Sequence, residues 1–107
     1  MQQPKVIKVL DANAYVRSRM STAEQLAGLA EEATELAHAA LKLRRAYDGS
    51  NPTPKTKGEA IDNLLEEIGD VFLCLEVLGF VVDPEVYRID MNEKLKRWAL
   101  RLKESEK

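Results

Sequence analysis

Apolar residues recur at intervals of three and four along two long stretches of the chain, which predicts two amphipathic helices. The first runs from Thr22 to about Tyr47, and the second runs from about Glu59 to Leu78. Ser21 offers an N-cap to the first helix, with Glu24 at the spacing of a capping box. Gly79 marks the end of the second helix, because glycine commonly follows the last helical turn.

A third amphipathic helix is predicted after Asp83, which caps it, and Pro84, which takes its first position. It runs to about Lys103, and its apolar stripe comprises Met91, Leu95, Trp98 and Leu102. Residues 4–20 remain ambiguous, because "KVIKVL" alternates like a short strand whereas "ANAYVRSRM" suits a helix. Three substantial helices without a firm strand pair predict an all-α bundle. We expect one domain over residues 1–107, with 1–20 unassigned and a loop at 48–58.

Composition limits what this bundle can do on its own. The chain has 107 residues, of which 45% are hydrophobic and 32% charged, so its core is modest. Ala27, Ala39 and Ala46 lie outside the leucine stripe of the first helix, where small side chains allow another helix to approach. We therefore expect a homo-oligomer, a homodimer or homotetramer.

Charge and cysteine content exclude several classes of protein. The formal net charge of -2 provides no field for a nucleic acid polymer or an anionic membrane. No uncharged run is long enough to span a bilayer. The single cysteine, Cys74, cannot form an intramolecular disulfide, so we expect a cytoplasmic setting.

Two pairs of carboxylates lie at the borders of the apolar faces. On a helical wheel of about 100° per residue, Glu67 and Asp70 fall inside the apolar band of the second helix, and Glu32 and Glu35 lie on one flank of the first. Acidic residues at helical spacing most often form a solvated face. Four converging carboxylates would instead repel one another and favour a bound cation, and oxygen ligands indicate Mg²⁺, Mn²⁺ or Ca²⁺. The mid-helix Gly69 predicts close approach by a ligand or another helix.

These motifs resemble those of the MazG-type, all-α nucleotide pyrophosphohydrolases. That superfamily carries E-E-x-x-E on one helix and E-x-x-D on the next, matched here by "EEATE" and "EIGD". A third element, asparagine-x-lysine running into arginines and an aromatic residue, is matched by "RIDMNEKLKRW". The resemblance covers roughly Leu26 to Trp98. The chain departs from the pattern in the long segment between the acidic motifs, and in Arg88, where relatives often have lysine.

The resemblance implies hydrolysis of nucleoside triphosphates between the α- and β-phosphates, giving a monophosphate and pyrophosphate. It implies Mg²⁺, with Mn²⁺ as a substitute, and subunits that assemble in pairs. The implied metal ligands are Glu32, Glu35, Glu67 and Asp70, and Glu31 completes the catalytic set. The implied phosphate ligands are Arg88, Asn92, Lys94 and Arg97.

Two alternative functions stay open. Glu35 and His38 form a Glu-x-x-His pair of the kind used by di-iron carboxylate bundles, although His38 falls on the solvated side of its helix. The chain would also suit a helical interaction module without catalysis, but that function would leave the border carboxylates unexplained. The preferred base and sugar cannot be read from these motifs.

Overall fold

The computed structural model describes residues 6–49, 56–80 and 82–106. These residues form four α-helices and one short 3₁₀ turn, and they contain no strand. In chain order they are α1 (Val9–Arg19), α2 (Thr22–Asp48), α3 (Lys57–Leu78), the 3₁₀ turn (Pro84–Tyr87) and α4 (Arg88–Ser105). The predicted all-α class is confirmed, and the ambiguous N-terminal segment forms a helix from Val9 onward. Residues 1–5 and the loop residues 50–55 lie outside the described part.

Helix α2 begins and ends at the local signals in its sequence. The Ser21 hydroxyl accepts a hydrogen bond from the Glu24 amide at 3.1 Å, and the Glu24 carboxylate accepts one from the Ser21 amide at 3.0 Å. This is the predicted capping box, which satisfies amide groups that the first turn leaves without partners. At the other end Gly49 adopts a left-handed φ of 65°, a conformation that favours glycine.

Helix α3 has the same kind of termini. Thr56 and Glu59 form a second capping box, so the helix starts two residues earlier than predicted. Gly79 has a φ of 91°, and the Phe80 amide donates to the Leu75 carbonyl at 2.9 Å. Together with the Gly79 amide, which donates to the Glu76 carbonyl at 3.0 Å, this bond forms a Schellman end and confirms Gly79 as the stop.

Helices α2 and α3 pack against each other as an antiparallel hairpin and provide the core. A parallel arrangement would require the linker between them to run back along the whole of α2, which is about 40 Å long, and the linker has too few residues to do so. Only Ala39 on α2 and Ala60 on α3 are fully buried among the described residues. We expected Ala39 to face another subunit, and that expectation was wrong. Its small side chain instead lets α2 approach α3 within one protomer. At the end of the hairpin where the linker joins the two helices, the Lys57 ammonium lies 4.6 Å from the centre of the Tyr47 ring.

Helix α1 is held to the end of α3 by one arginine. The Arg17 guanidinium donates two hydrogen bonds of 2.7 Å each, to the carbonyl oxygens of Val77 and Glu76. Carbonyls at a helix C-terminus lack intrahelical partners and carry partial negative charge, so a cation there is favourable. This contact places α1 beside the C-terminal half of α3.

Helix α4 packs on no other helix in the described part of the chain and contacts only the 3₁₀ turn before it. Its predicted apolar stripe is present but exposed: 60% of Leu95 and 59% of Trp98 is accessible to solvent. The molecule is accordingly elongated, 71 × 39 × 22 Å, with a radius of gyration of 18.9 Å. A compact chain of this length would have a radius of about 13 Å.

Candidate functional site

Three of the predicted carboxylates meet between α2 and α3. Oxygen atoms of Glu32, Glu67 and Asp70 all lie within 4.8 Å of one another, and each of the three residues is half-buried. Glu67 and Asp70 are three residues apart and so share one face of α3. The packing of α2 turns Glu32 toward that face. We call these three residues the acidic group.

The acidic group is electrostatically unfavourable without a counter-ion. The pKa of Glu67 is raised from its ordinary value, first by desolvation and then by the negative charges of Asp70, Glu32, Glu35 and Glu66. Desolvation, followed by the charges of Glu32 and Asp70, also raises the pKa of the Cys74 thiol. A carboxyl group whose pKa is raised by neighbouring negative charges favours a bound proton or metal cation.

The donor set of the acidic group suits a hard divalent cation. Its three carboxylates offer oxygen ligands only, which Mg²⁺, Mn²⁺ and Ca²⁺ prefer. Opposite ligands of one Mg²⁺ lie about 4.2 Å apart, so side chains whose oxygens lie within 4.8 Å of one another need only small adjustments to share an ion. Three ligands also leave coordination positions for water or phosphate oxygens.

The remaining acidic residues of the motif lie outside this group. Glu35 is exposed, yet its charge contributes to the raised pKa of Glu67, so it lies at the border of the group. Glu31 is exposed. His38 is also exposed and is not among the residues that could share a metal, which removes a ligand that a di-iron site would use. Gly69 is exposed, and a Cβ there would meet no atom within 4 Å. The close approach predicted at Gly69 therefore does not occur within the described protomer.

The predicted phosphate ligands lie together on α4. Arg88, Asn92, Lys94 and Arg97 line one shallow, exposed surface with Met91, Leu95 and Trp98. Lys94 forms an ion pair with Asp90 at 3.1 Å, and Arg88 forms one with Glu85 at 2.8 Å. Because α4 packs on neither α2 nor α3 in the described residues, a single protomer does not bring this basic surface to the acidic group.

Helix α1 creates a feature that the sequence reasoning missed. An apolar groove of about 410 Å³, the α1 groove, lies between α1, α2 and α3. Its lining includes Asn13 and Val16 from α1, Gly28 from α2, and Leu73 and Cys74 from α3. One signal was present in the sequence: Gly28 interrupts a helix otherwise free of glycine, one turn before Glu32.

Comparisons with protein-family models, with curated proteins and with solved structures found no match for this chain. None of the described helices combines the length and apolar character needed to cross a membrane. What the chain does must therefore be argued from the acidic group, the basic surface of α4 and the motifs that contain them.

Proposed function

We propose that this protein is a Mg²⁺-dependent nucleotide pyrophosphohydrolase of the MazG type. One observation carries the proposal: Glu32, Glu67 and Asp70, predicted from two separate motifs, have oxygens within 4.8 Å of one another. The proposed substrate is a nucleoside triphosphate, and the products are a nucleoside monophosphate and pyrophosphate. Mn²⁺ is the expected substitute for Mg²⁺, and the expected location is the cytoplasm.

The residues of the acidic group have separable roles in this reaction. Glu32, Glu67 and Asp70 hold the cation, and Glu35 at their border is a fourth ligand when the side chains close on it. Bound Mg²⁺ would neutralise phosphate charge and make a coordinated water a better nucleophile. Hydrolysis adds one water across the bond between the α- and β-phosphates, and its proton needs an acceptor. Glu31, the remaining carboxylate of the motif, would orient that water and take the proton.

We propose further that the active protein is a homo-oligomer built from dimers. The chain exposes 8997 Å², whereas a compact protein of its mass exposes about 6,000 Å². An excess of about 3,000 Å² per protomer is about 6,000 Å² for two protomers, which is the size of the largest obligate interfaces, whose totals run from about 2,000 Å² to above 5,000 Å². The exposed apolar stripe of α4 belongs to this excess, and exposed apolar surface of this kind commonly binds a partner.

The distribution of charge supports one arrangement of the two copies. Helices α2 and α3 together carry eleven acidic and four basic side chains, and α4 carries six basic and three acidic ones. Complementary fields of this kind fix the orientation of two surfaces. We infer that α4 of one subunit covers the acidic group of its partner and supplies Asn92, Lys94 and Arg97 to the phosphates. Arg97 is the best candidate, because it forms no ion pair in the described chain.

The first experiment tests the reaction itself. Pyrophosphate release is measured with a panel of nucleoside triphosphates and Mg²⁺, for the wild type and for Glu67→Gln. The glutamine keeps the volume of the side chain but removes a ligand charge, so we expect loss of turnover with the helical content unchanged. Full turnover by Glu67→Gln, or no pyrophosphate from any triphosphate, would refute the assignment.

The second experiment tests whether the site is shared between subunits. Glu67→Gln and Arg97→Ala are each expected to be inactive, and they are then mixed and allowed to exchange subunits. If α4 acts on its partner, each heterodimer carries one intact site, so the mixture recovers about a quarter of the wild-type activity. If α4 acts within its own subunit, no site is intact and the mixture stays inactive.

A further inference from the structure

The α1 groove adjoins the acidic group. Gly28 lies four residues before Glu32 on α2, and Cys74 lies four residues after Asp70 on α3. The groove therefore begins about one helical turn, or 5.4 Å, from the carboxylates. In a nucleotide, one sugar separates the base from the α-phosphate, which is a span of similar size. A triphosphate bound at the acidic group thus has room to extend its nucleoside into the groove.

We propose that the α1 groove binds the nucleobase, with Asn13 Oδ1 accepting a hydrogen bond from an N–H group on the edge of the base. This inference rests on the proposed function and adds a base site to it.

The chemistry of the groove walls favours a planar, weakly polar ring. Val16, Met20, Leu73 and Val77 supply apolar surface, and about 410 Å³ of space lies within the range of small-molecule sites, roughly 300–1,000 Å³. Glu76 also lines the groove, and none of the described residues in its lining is basic, so the groove offers no counter-charge to an anionic group. The phosphates are accordingly directed away from the groove and toward the cation.

Asn13 gives the groove a polar anchor. Its Oδ1 atom is buried and has no hydrogen-bond partner among the described residues. A buried acceptor without a donor is unfavourable, and such atoms usually find a partner in the protein, in water or in a ligand. Every common nucleobase offers at least one N–H donor on its edge. A hydrogen bond from the base to Asn13 would satisfy this atom.

Gly28 keeps the groove open. A Cβ at this position would meet no atom within 4 Å, so packing within the protomer does not require a glycine. A glycine in a helix interior is less favourable than alanine or leucine. Space for a ligand is a reason for glycine at this position of the helix.

The first test fills the groove with Gly28→Leu. Leucine is the better helix former, so the melting temperature should not fall. Ala30→Leu is the matched control, because it adds leucine to an exposed position of the same helix, about 200° around the axis. We expect kcat/KM for nucleoside triphosphates to fall at least tenfold in Gly28→Leu and to stay near the wild-type value in Ala30→Leu. Unchanged kcat/KM in Gly28→Leu would overturn the base site while leaving the pyrophosphohydrolase assignment intact.

The second test reads occupancy of the groove without catalysis. Cys74 is the only cysteine and lines the groove, so the rate of its alkylation by iodoacetamide reports on groove access. With Mg²⁺ present, an α,β-imido nucleoside triphosphate should slow alkylation several-fold, and inorganic tripolyphosphate should not. Asn13→Leu should weaken this protection, whereas Asn13→Asp, which keeps an acceptor oxygen, should retain more of it.

The second test distinguishes failure of the base site from failure of the proposed function. Equal protection by the nucleotide and by tripolyphosphate would show that the base does not enter the groove, and the inference would be wrong. Absence of pyrophosphate release by the wild-type protein would remove the proposed function, and the base site would fall with it.

Discussion

Arg17 should control whether α1 stays docked on the helical hairpin. Its guanidinium donates two 2.7 Å bonds to carbonyls at the C-terminus of α3. A hydrogen bond with a charged donor contributes about 1.5–3 kcal/mol in protected settings. Since Arg17 is exposed, we assign about 1 kcal/mol to each bond, or about 2 kcal/mol in total. Replacement by methionine keeps the apolar stem and removes both bonds.

Loss of about 2 kcal/mol should raise the undocked population of α1 about 30-fold. An isolated helix of 11 residues is marginal in water, so an undocked α1 should unfold and exchange its amide hydrogens. Hydrogen exchange followed by mass spectrometry should therefore show faster exchange over α1 in Arg17→Met, with α2 little changed. Arg17→Lys should recover part of the protection, because lysine keeps the charge but not the planar fork.

Arg19→Met is the control for this measurement. Arg19 lies in the same last turn of α1, and its guanidinium lies 5.1 Å from the ring centre of Tyr15 in the same helix. This variant loses a charge without losing a bond between helices, so α1 should exchange nearly as in the wild type. Unchanged exchange over α1 in Arg17→Met would show that other contacts hold the helix and that the two bonds contribute little.

Two further predictions concern the acidic group and its neighbour. The pKa of Glu67 in the folded protein is raised above its ordinary value of 4.5. Protonation of Glu67 therefore stabilises the folded protein fully below pH 4.5, and this contribution to stability is lost as the pH rises through the raised pKa. In the presence of a chelator, thermal melts should show Glu67→Gln more stable than the wild type near neutral pH, and the difference should fade toward about pH 4. Mg²⁺ should stabilise only the wild type. Equal melting curves for the two proteins in chelator would contradict repulsion within the acidic group. Gly69→Ala should stabilise the protein by about 0.5–1 kcal/mol in urea denaturation, because a Cβ there meets no atom within 4 Å. A loss of stability accompanied by dissociation would instead show that a second subunit approaches Gly69.

Helix boundaries could be predicted from the sequence because their signals are local. The capping box at Ser21 and the stop at Gly79 each depend on residues within a few positions of the terminus. The same signal, threonine followed three residues later by glutamate, was present at Thr56 and would have given the start of α3. Helix α1 stayed ambiguous because what holds it is not local: Arg17 bonds to carbonyls about sixty residues along the chain.

The candidate site could be predicted only as far as two helical wheels allow. Glu67 and Asp70 share one face of α3, and this placement on the apolar border is confirmed by their half-buried state. The burial of Glu35 was harder to predict. Glu35 lies three residues after Glu32, which is a rotation of about 300° around the helix axis, so the angle at which α2 packs on α3 decides whether its side chain remains exposed. The α1 groove could not be predicted at all, since it exists only after α1 docks. The position of α4 could not be predicted either. Its apolar stripe suggested that α4 packs in the core of the bundle, but α4 packs on no other helix in the described part of one protomer.

Cation binding and assembly should interact at the proposed shared site. With no ion or substrate present, the basic side chains of a partner's α4 would compensate the charges of Glu32, Glu67 and Asp70. Mg²⁺ alone would compete with those side chains for the same three carboxylates. A nucleoside triphosphate changes the balance, because its phosphates bridge the cation on one side and arginine or lysine on the other. Mg²⁺ and the α4 side chains would then no longer compete, and each would strengthen the binding of the nucleotide. Reciprocity of binding free energies requires that Mg²⁺ and nucleotide raise each other's affinity. On this proposal, the complete site would assemble around cation and substrate together.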